Sequence, residues 1–263
     1  MEAVLKYPGA KNRLANWIIE QIPPHNVYLE PFAGSLAVLL NKERCHIETV
    51  NDLDGDIVNF FRVLRDRKGE LEKVIQLTPY SRAEYVNAYT ETDDEIEKAR
   101  RFAVKCWMGF GCGNRYQNGF KSGQQSSSPN PAKAWAELPK TLYCASERLK
   151  GVQIENLPAV ELIRRYNTED VFIYADPPYL HKTRKNYLYN YEMKDDEHEE
   201  LLKILLKHPG KVLISGYDND IYNDLLSGWE KISKVTLAEG GAKRKETLWM
   251  NYKKEINIFS LVK

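Results

Sequence analysis

The segment Asp176-Pro177-Pro178-Tyr179 combines side chains that could do chemistry on a flat, amino-bearing ring. It follows the apolar run 171–175, whose length and composition predict a buried strand. The carboxylate offers hydrogen-bond acceptors to the edge of such a ring, and the tyrosine offers an aromatic surface to its face. The alternative is a tight turn after a strand, because aspartate and proline are both common in turns.

Further polar residues follow two other predicted strands. The loop Glu30–Ser35 comes after the short strand 27–29, and Asp52 comes after the strand 47–51, 22 residues beyond Glu30. In an open α/β sheet, such strand ends hold the ligand. Gly34 permits close approach of the backbone, and a helix predicted over 36–41 would offer free N–H groups. The loop lacks the GxGxxG pattern, so a pyrophosphate cradle is poorly supported.

The residue types at these strand ends suit one kind of ligand. Asp52 could accept hydrogen bonds from both hydroxyls of a ribose, and Glu30 could face a cationic amino-acid tail. A ligand with ribose, adenine and a positive tail but no phosphate fits S-adenosylmethionine. Tyr7 could pack on its adenine or tail, and Lys11 could meet a carboxylate. Capping or a turn role for Asp52 stays open, as do core packing or surface roles for Tyr7 and Lys11.

The elements that must position these residues alternate between strands and helices. A short amphipathic helix is predicted before Pro23, with its apolar residues 14, 17, 18 and 22 on one face. Helical spacing recurs over 57–68 and near 197–206. Besides the strands already given, 152–154 and 212–215 read as strands. This alternation predicts a parallel α/β sheet of Rossmann-like type. The segments 246–252 and 256–262 predict an antiparallel hairpin at its edge.

The alternation breaks between about residues 76 and 149. The centre of this stretch, 109–131, has too many glycines for a helix or a central strand. We therefore expect a catalytic domain formed by residues 1–75 and 150–263, with an inserted, mostly helical domain over 76–149 that carries a functional loop.

Composition and charge limit the binding partners, the metal sites and the cell compartment that we expect for this protein. The net charge of the 263 residues is only +1, but from Arg100 to Lys150 nine lysines or arginines stand against Glu137 and Glu147. This local excess suits a phosphate-facing surface or, alternatively, a solvated loop. The four cysteines show no CxxC and no paired histidine spacing, which argues against a zinc site and a disulfide framework. A reducing cytoplasm is the expected setting, since no signal peptide or membrane span is evident.

Taken in order, the segments resemble the bacterial and phage DNA adenine-N6 methyltransferases of the Dam-like D12 class. The resemblance covers nearly the whole chain and rests on Lys6-Tyr7-Pro8-Gly9-Ala10-Lys11, Glu30-Pro31-Phe32-Ala33-Gly34-Ser35, Asn51-Asp52 and Asp176-Pro177-Pro178-Tyr179. It implies an S-adenosylmethionine-dependent methyltransferase with a Rossmann-like sheet, in which the inserted domain recognises the DNA target. The residues expected around the methyl donor are Tyr7, Lys11, Glu30, Pro31, Phe32, Ala33, Gly34, Asp52, Asn156 and Asp176.

Two segments depart from the pattern of that class. The second glycine often seen after Gly34 is missing, and Asn156-Leu157 stands where the class often has Asp-Phe. Asn156 can still hydrogen-bond an adenine edge, whereas Leu157 can pack but cannot stack as an aromatic ring.

The tetrapeptide also suits transfer to an exocyclic amine. The side chain of Asp176 and the backbone carbonyl of Pro177 could accept the two N–H bonds of adenine N6, so that its lone pair points at the donor methyl. Tyr179 would stack on the base, which a duplex must first flip out at a cost of a few kcal/mol. No metal and no covalent intermediate are required.

Three basic clusters, each alone consistent with a solvated surface, favour contact with a polyanion when they surround one pocket. Arginine and lysine hold phosphates, while asparagine and arginine can also read base edges. The expected nucleic-acid-binding residues are Arg115, Tyr116, Asn118, Lys121, Lys182, Arg184, Lys185, Lys243 and Arg244. The stretch after the tetrapeptide, with alternating tyrosines, could form a lid.

The leading hypothesis is methylation of adenine N6 in double-stranded DNA, within a bacterium or a phage-infected cell. The same chemistry on cytosine N4, on RNA adenine or on a protein glutamine stays open. So do a catalytically silent nucleic-acid-binding module and, less well supported, a dehydrogenase. A cognate restriction endonuclease is an open partner, the chain is expected to be a monomer or a weak dimer, and the recognition sequence cannot be read from these residues.

Overall fold

We analysed a computed structural model of the chain, which describes residues 1–111, 116–123, 125, 127, 129–183, 188–237 and 243–254. The strands within these residues are β1 (Val27–Glu30), β2 (Ile47–Asn51), β3 (Gln153–Glu155), β4 (Val171–Ala175), β5 (Val212–Tyr217), β6 (Glu230–Leu237) and β7 (Lys243–Met250). The helices are α1 (Ala15–Ile19), α2 (Gly55–Asp66), α3 (Lys68–Leu77), α4 (Arg82–Asn87), α5 (Glu95–Met108), α6 (Pro131–Leu149), α7 (Ala159–Arg165), α8 (Asp195–Lys207) and α9 (Asp220–Leu225).

The described strands form one sheet in the order β3-β2-β1-β4-β5-β7-β6. Strands β3, β2, β1, β4 and β5 are parallel, whereas β7 is antiparallel to both β5 and β6. The chain runs outward from β1 to β3 on one side and from β4 to β5 on the other. The switch point of this α/β sheet therefore lies between β1 and β4, where a ligand is expected.

Helices cover both faces of the sheet. Successive side chains of a strand point to opposite faces, so each face carries its own hydrophobic cluster. Tyr28 and Phe172 pack with helices α2, α3, α5 and α6, whereas Leu29 and Ile173 pack with α7, α8 and α9. Every residue of β4 is buried, as expected for a central strand covered on both sides. The predicted mixed α/β class, with its Rossmann-like sheet, is confirmed.

Side-chain caps explain where several helices begin. Asp54, Ser81 and Asp94 accept backbone N–H bonds at the starts of α2, α4 and α5. Asn130 caps α6, whose first residue is Pro131, a residue suited to the first helical turn. Among the described residues no helix has the length and apolar character needed to cross a membrane.

Two expectations about elements need correction. Residues 37–41 form turns rather than a helix, and Leu36 before them has a φ of +54°, which excludes it from a right-handed helix. Strand β7 pairs with β6, which precedes it, and with β5, so both of its edges are used and the expected hairpin with 256–262 is wrong. Residues 256–262 themselves lie outside the described part of the chain.

The helices of the expected insertion pack into the same core as the sheet. The boundary expected at residues 75 and 76 falls inside α3. The indole N–H of Trp107 in α5 donates to the carbonyl of Val4 at 3.0 Å, which fixes the insertion to the N-terminal segment. The division into two domains stays a prediction.

Candidate active site

A cavity of about 200 Å³ opens at the carboxyl ends of β1, β2 and β4, at the switch point of the sheet. It is lined by the N-terminal segment, by the loop after β1 and by the residues that follow β2 and β4. Of the residues expected from the sequence to bind the donor or catalyse, those that line it are Tyr7, Lys11, Glu30, Phe32, Ala33, Gly34, Asp52 and Asp176. Residues from opposite ends of the chain thus meet in one site.

The loop after β1 is shaped by Gly34, whose φ of +48° lies in the left-handed region that glycine adopts without strain. Its N–H donates to Asp52 Oδ2 at 2.9 Å, and the N–H of Ala33 donates to the carbonyl of Asn51 at 2.8 Å. The ring of Tyr7 lies 3.6 Å from where a β-carbon on Gly34 would stand. A β-carbon there would make only ordinary contact with the ring, so the positive φ, and not a lack of space, is what favours glycine at this position.

The two aspartates after β2 have different roles. Asp54, and not Asp52, caps helix α2, because its Oδ1 accepts the N–H of Asp56 at 2.9 Å. Asp52 accepts the N–H groups of Gly34 and Asp54, each at 2.9 Å, and faces the cleft. A carboxylate has about four acceptor positions. Asp52 therefore keeps acceptor capacity for hydroxyl groups of a ligand.

Burial raises the pKa of both acidic groups at this end of the cleft. The pKa of Asp52 rises to about 6, and backbone hydrogen bonds to its oxygens limit the rise. Glu30 is buried and accepts the Tyr28 hydroxyl at 2.7 Å, and its pKa rises to about 8. Glu30 therefore holds a proton at neutral pH until a cation lies beside it.

Asn156, Pro31 and Leu157 belong to the scaffold of the cleft rather than to its lining. The Asn156 amide donates to the carbonyls of Asp52 at 2.7 Å and Leu53 at 3.2 Å. Asn51, at the end of β2, donates to the carbonyl of Pro31 at 2.9 Å and accepts the N–H of Leu157 at 2.8 Å. These bonds hold together the loops that follow β1, β2 and β3. Direct contact of Asn156 with the donor stays a prediction.

Both carboxylate oxygens of Asp176 have partners. Lys11 Nζ lies 2.8 Å from Oδ2, and the Ser215 hydroxyl donates to Oδ1 at 2.7 Å. Lys11 also donates to the carbonyl of Gly9 at 2.8 Å. Burial acts to lower the pKa of Lys11, but the carboxylates of Asp176 and Glu246 outweigh it and the pKa is raised. Asp176 is thus fixed in orientation by an ammonium group and a hydroxyl.

Of the other residues of the tetrapeptide, Pro178 lines the cavity, whereas Pro177 and Tyr179 lie beside it. Both of the latter are buried. The Tyr179 hydroxyl donates to Glu246, and Lys11 Nζ lies over the Tyr179 ring, 4.7 Å from its centroid. The rings of Tyr179 and Tyr217 pack in a T-shaped arrangement with their centroids 4.5 Å apart. Stacking of Tyr179 on a base stays a prediction.

A segment following the tetrapeptide completes the cleft. Tyr189, Tyr191 and Met193 line it, and the Asn190 amide donates to Asp54 Oδ2 at 2.8 Å. A β-carbon on Gly9 would collide with the Tyr189 hydroxyl, so the N-terminal turn and this segment fit closely together. The sequence indicated these tyrosines only as part of a DNA-contacting lid.

The described residues of the nucleic-acid clusters are exposed or half-buried. Tyr116 and Asn118 lie between the bridged residues Gly109 and Phe120, and Lys121 follows Phe120. Their backbone carbonyls accept the hydroxyls of three tyrosines, Tyr89, Tyr85 and Tyr80 respectively. Lys182 pairs with Asp195 at 3.1 Å, and Arg244 donates to the Tyr217 hydroxyl at 3.0 Å. Arg115, Arg184 and Lys185 lie outside the described residues, as does the side chain of Lys243.

Sequence reasoning missed Ser215 and Glu246. Ser215 lies in β5, next to β4, so its position in the neighbouring parallel strand was a usable signal. Glu246 lies in a strand that the sequence placed at the edge of the sheet, whereas the structure has it between β5 and β6. Among the described residues, no group of three or more histidine, cysteine, aspartate or glutamate side chains could hold a metal ion.

A cavity lined by acidic side chains, with a clamped aspartate at the end of β4, lies at the switch point of this mixed α/β sheet, where open sheets of this class bind their ligands. The family described as D12 class N6 adenine-specific DNA methyltransferase matches residues 7–239, and the chain belongs to that family. The protein is accordingly a DNA methyltransferase, and the resemblance seen in its motifs is confirmed.

Individual proteins were also compared with the chain. It is similar to the type II methyltransferase M.MjaIII of Methanocaldococcus jannaschii, at 27% identity over 290 residues that cover 94% of this chain and 98% of the relative. Among solved structures, precorrin 8W decarboxylase of Methanobacterium thermoautotrophicum covers 94% of both chains at 10% identity, with a TM-score of 0.39. The yhhF protein of Escherichia coli, described as a methyltransferase, covers 93% of this chain and 84% of its own at 14% identity, with a TM-score of 0.36. Structural similarity this low has no bearing on function.

Proposed function

We propose that this protein transfers the methyl group of S-adenosylmethionine to N6 of an adenine flipped out of double-stranded DNA. The observation that carries the proposal is the position of Asp176, which lines the same cleft as Asp52 and Tyr7. A site for a nucleoside and an acceptor for an amine therefore share one cavity. The adenine-specific family supports the choice of base.

The chemistry of the cleft fits the donor. Asp52 would accept the ribose hydroxyls, Tyr7 would pack on the adenine or the tail, and Glu30 would lose its proton when the cationic tail lies beside it. When bound, the donor supplies a methyl group on a positively charged sulfur. No backbone nest for a pyrophosphate is needed.

Donor affinity is expected to fall as the pH drops through about 6. The Asp52 pKa of about 6 leaves the carboxyl ionised at pH 8 and mostly protonated at pH 5, where it is a weaker acceptor for hydroxyls. If only the ionised form binds, the dissociation constant measured by calorimetry rises about tenfold between pH 8 and pH 5. Asp52→Asn is the control, because it keeps Glu30 but removes this titration. Equal pH slopes in both proteins would contradict the assignment.

Asp176 and Pro177 would prepare the acceptor nitrogen. The lone pair of adenine N6 is delocalised into the ring, so the amine is a poor nucleophile. Hydrogen bonds from its two N–H groups to the Asp176 carboxylate and the Pro177 carbonyl would favour a pyramidal nitrogen aimed at the methyl. The reacting atoms must lie at about 3–3.5 Å, and the carboxylate stabilises the positive charge that develops on the amine.

We extend the proposal to DNA recognition and biological context. Residues 76–149 would read the target, with Tyr116, Asn118 and Lys121 in the tyrosine-anchored loop, while Lys182 and Arg244 would contact the backbone. The M. jannaschii relative is named a type II methyltransferase, and this supports a modification role opposite a cognate restriction endonuclease.

The test is methylation of plasmid DNA with tritiated donor, followed by single-molecule sequencing to map the modified bases. We expect label in DNA and N6-methyladenine at one short recognition sequence. Label in cytosine, or in RNA with none in DNA, would contradict the choice of substrate. Binding of DNA and donor without transfer would contradict the reaction itself.

A further inference from the structure

Glu246 is a buried acid next to the catalytic motif that no sequence motif includes. It lies on β7, opposite Tyr217 of β5 and Lys234 of β6, and only 4% of it is exposed. The family match ends at residue 239, so Glu246 lies beyond it. Nothing in the packing of a β-strand requires a carboxylate at an interior position, and burying one is costly unless it has partners.

The partners of Glu246 are residues of the site. The Tyr179 hydroxyl donates to its Oε1, and Lys11 Nζ lies 3.8 Å from the same oxygen. Lys11 is closer to Asp176, at 2.8 Å, and also lies over the Tyr179 ring. Lys11 thus lies beside two carboxylates, those of Asp176 and Glu246, and Tyr179 contacts both Lys11 and Glu246.

Strand β7 also contacts Tyr179 indirectly, through Arg244 and Tyr217. Arg244, two residues before Glu246 and therefore on the same face of β7, donates to the Tyr217 hydroxyl and lies 5.0 Å from the centre of its ring. The ring of Tyr217 in turn packs against that of Tyr179 in a T-shaped arrangement. β7 thus fixes both the hydroxyl and the ring of the tyrosine that ends the catalytic tetrapeptide.

We propose that Glu246 is a positioning residue for methyl transfer, which holds Tyr179 and Lys11 and through them sets the orientation of Asp176. The proposal rests on the proposed function and deepens it. A carboxylate is suited to this role because hydrogen bonds to charged acceptors are shorter and roughly twice as strong as neutral ones. Burial raises the pKa of Glu246, and the proximity of Lys11 opposes that rise.

The test compares Glu246→Gln with Glu246→Ala in the full-length protein. Glutamine keeps an acceptor for Tyr179 but removes the charge, so the single-turnover rate of methyl transfer is expected to fall about tenfold; alanine removes both, and a fall of about a hundredfold is expected. Dissociation constants for the donor and for DNA are expected to stay within about twofold, because neither ligand needs Glu246 directly. Glu230→Gln, an exposed glutamate in the adjacent strand, is the matched control and is expected to match the wild type.

A double-mutant cycle with Tyr179→Phe separates positioning from a general loss of stability. If Glu246 acts through the Tyr179 hydroxyl, the variant that combines Tyr179→Phe with Glu246→Ala is expected to be hardly slower than Glu246→Ala alone. Full additivity, or a wild-type rate in Glu246→Gln, would overturn the proposal. Should the Glu246 variants not fold, Tyr179→Phe decides alone, and a wild-type rate in it also overturns the proposal. Absence of transfer in the wild type would instead refute the proposed function.

Discussion

Replacing Asp176 by alanine is expected to slow methyl transfer by about a thousandfold, while DNA binding survives. The carboxylate is the acceptor that faces the cleft and would bond the amine, and it would stabilise the charge that develops there. DNA contacts are expected from other parts of the surface, so they do not need this side chain. The rate is measured in single-turnover assays with labelled donor, and binding is measured by fluorescence anisotropy.

Two further variants make the result specific. Asp176→Asn keeps the shape of the side chain but removes its charge, so it is expected to lose most of the rate with a smaller loss of stability than alanine. Asp218→Asn is the matched control, because Asp218 follows β5 as Asp176 follows β4 but pairs with the half-exposed Lys231 and the exposed Lys245 instead of a buried cation. A DNA-bound Asp176→Ala protein that transfers methyl at the wild-type rate would refute the assignment of the catalytic residue.

The strand ends of the site were predictable from the sequence because they depend on local patterns. An apolar run followed by Asp176 and Pro177 indicates a strand and a rigid turn, and Glu30 and Asp52 follow similar runs. Parallel strands place their carboxyl ends at one edge of the sheet, so these three acids were expected to lie together. The cavity at the switch point lined by all three agrees with this expectation.

What could not be predicted depends on strand order and on loop geometry. Glu246 reaches the site only because β7, an antiparallel strand, inserts between β5 and β6. No local pattern specifies that insertion. The helix prediction after Gly34 was wrong, because the apolar residues at 36–40 suit a buried loop as well as a helix. The positive φ of Leu36 is a backbone conformation that no local sequence pattern indicates.

Replacing Lys11 by methionine is expected to destabilise the protein by about 3–5 kcal/mol at pH 8, because it leaves buried charges without their cation. Methionine fills a similar volume, so the loss is mainly electrostatic. Asp176 and Glu246 both lie within 4 Å of Lys11 Nζ, at 2.8 and 3.8 Å, and no more than a fifth of either side chain is exposed. Urea unfolding followed by circular dichroism measures the free energy of unfolding.

The pH dependence of this loss distinguishes charge from packing. Without Lys11, burial favours the protonated form of the Glu246 carboxyl more strongly, so the folded variant binds a proton that the unfolded chain has released at neutral pH. By linkage, its free energy of unfolding then rises as the pH falls from 8 toward 5, and its deficit relative to the wild type shrinks. Adding Glu246→Gln to the variant is expected to restore part of the stability at pH 8, because it removes one of the two unpaired charges. Lys203→Met, which breaks an exposed pair with Glu199, is the control and is expected to cost less than about 1 kcal/mol. A deficit independent of pH, unchanged by Glu246→Gln, would assign the effect to packing and not to the charge cluster at the base of the cleft.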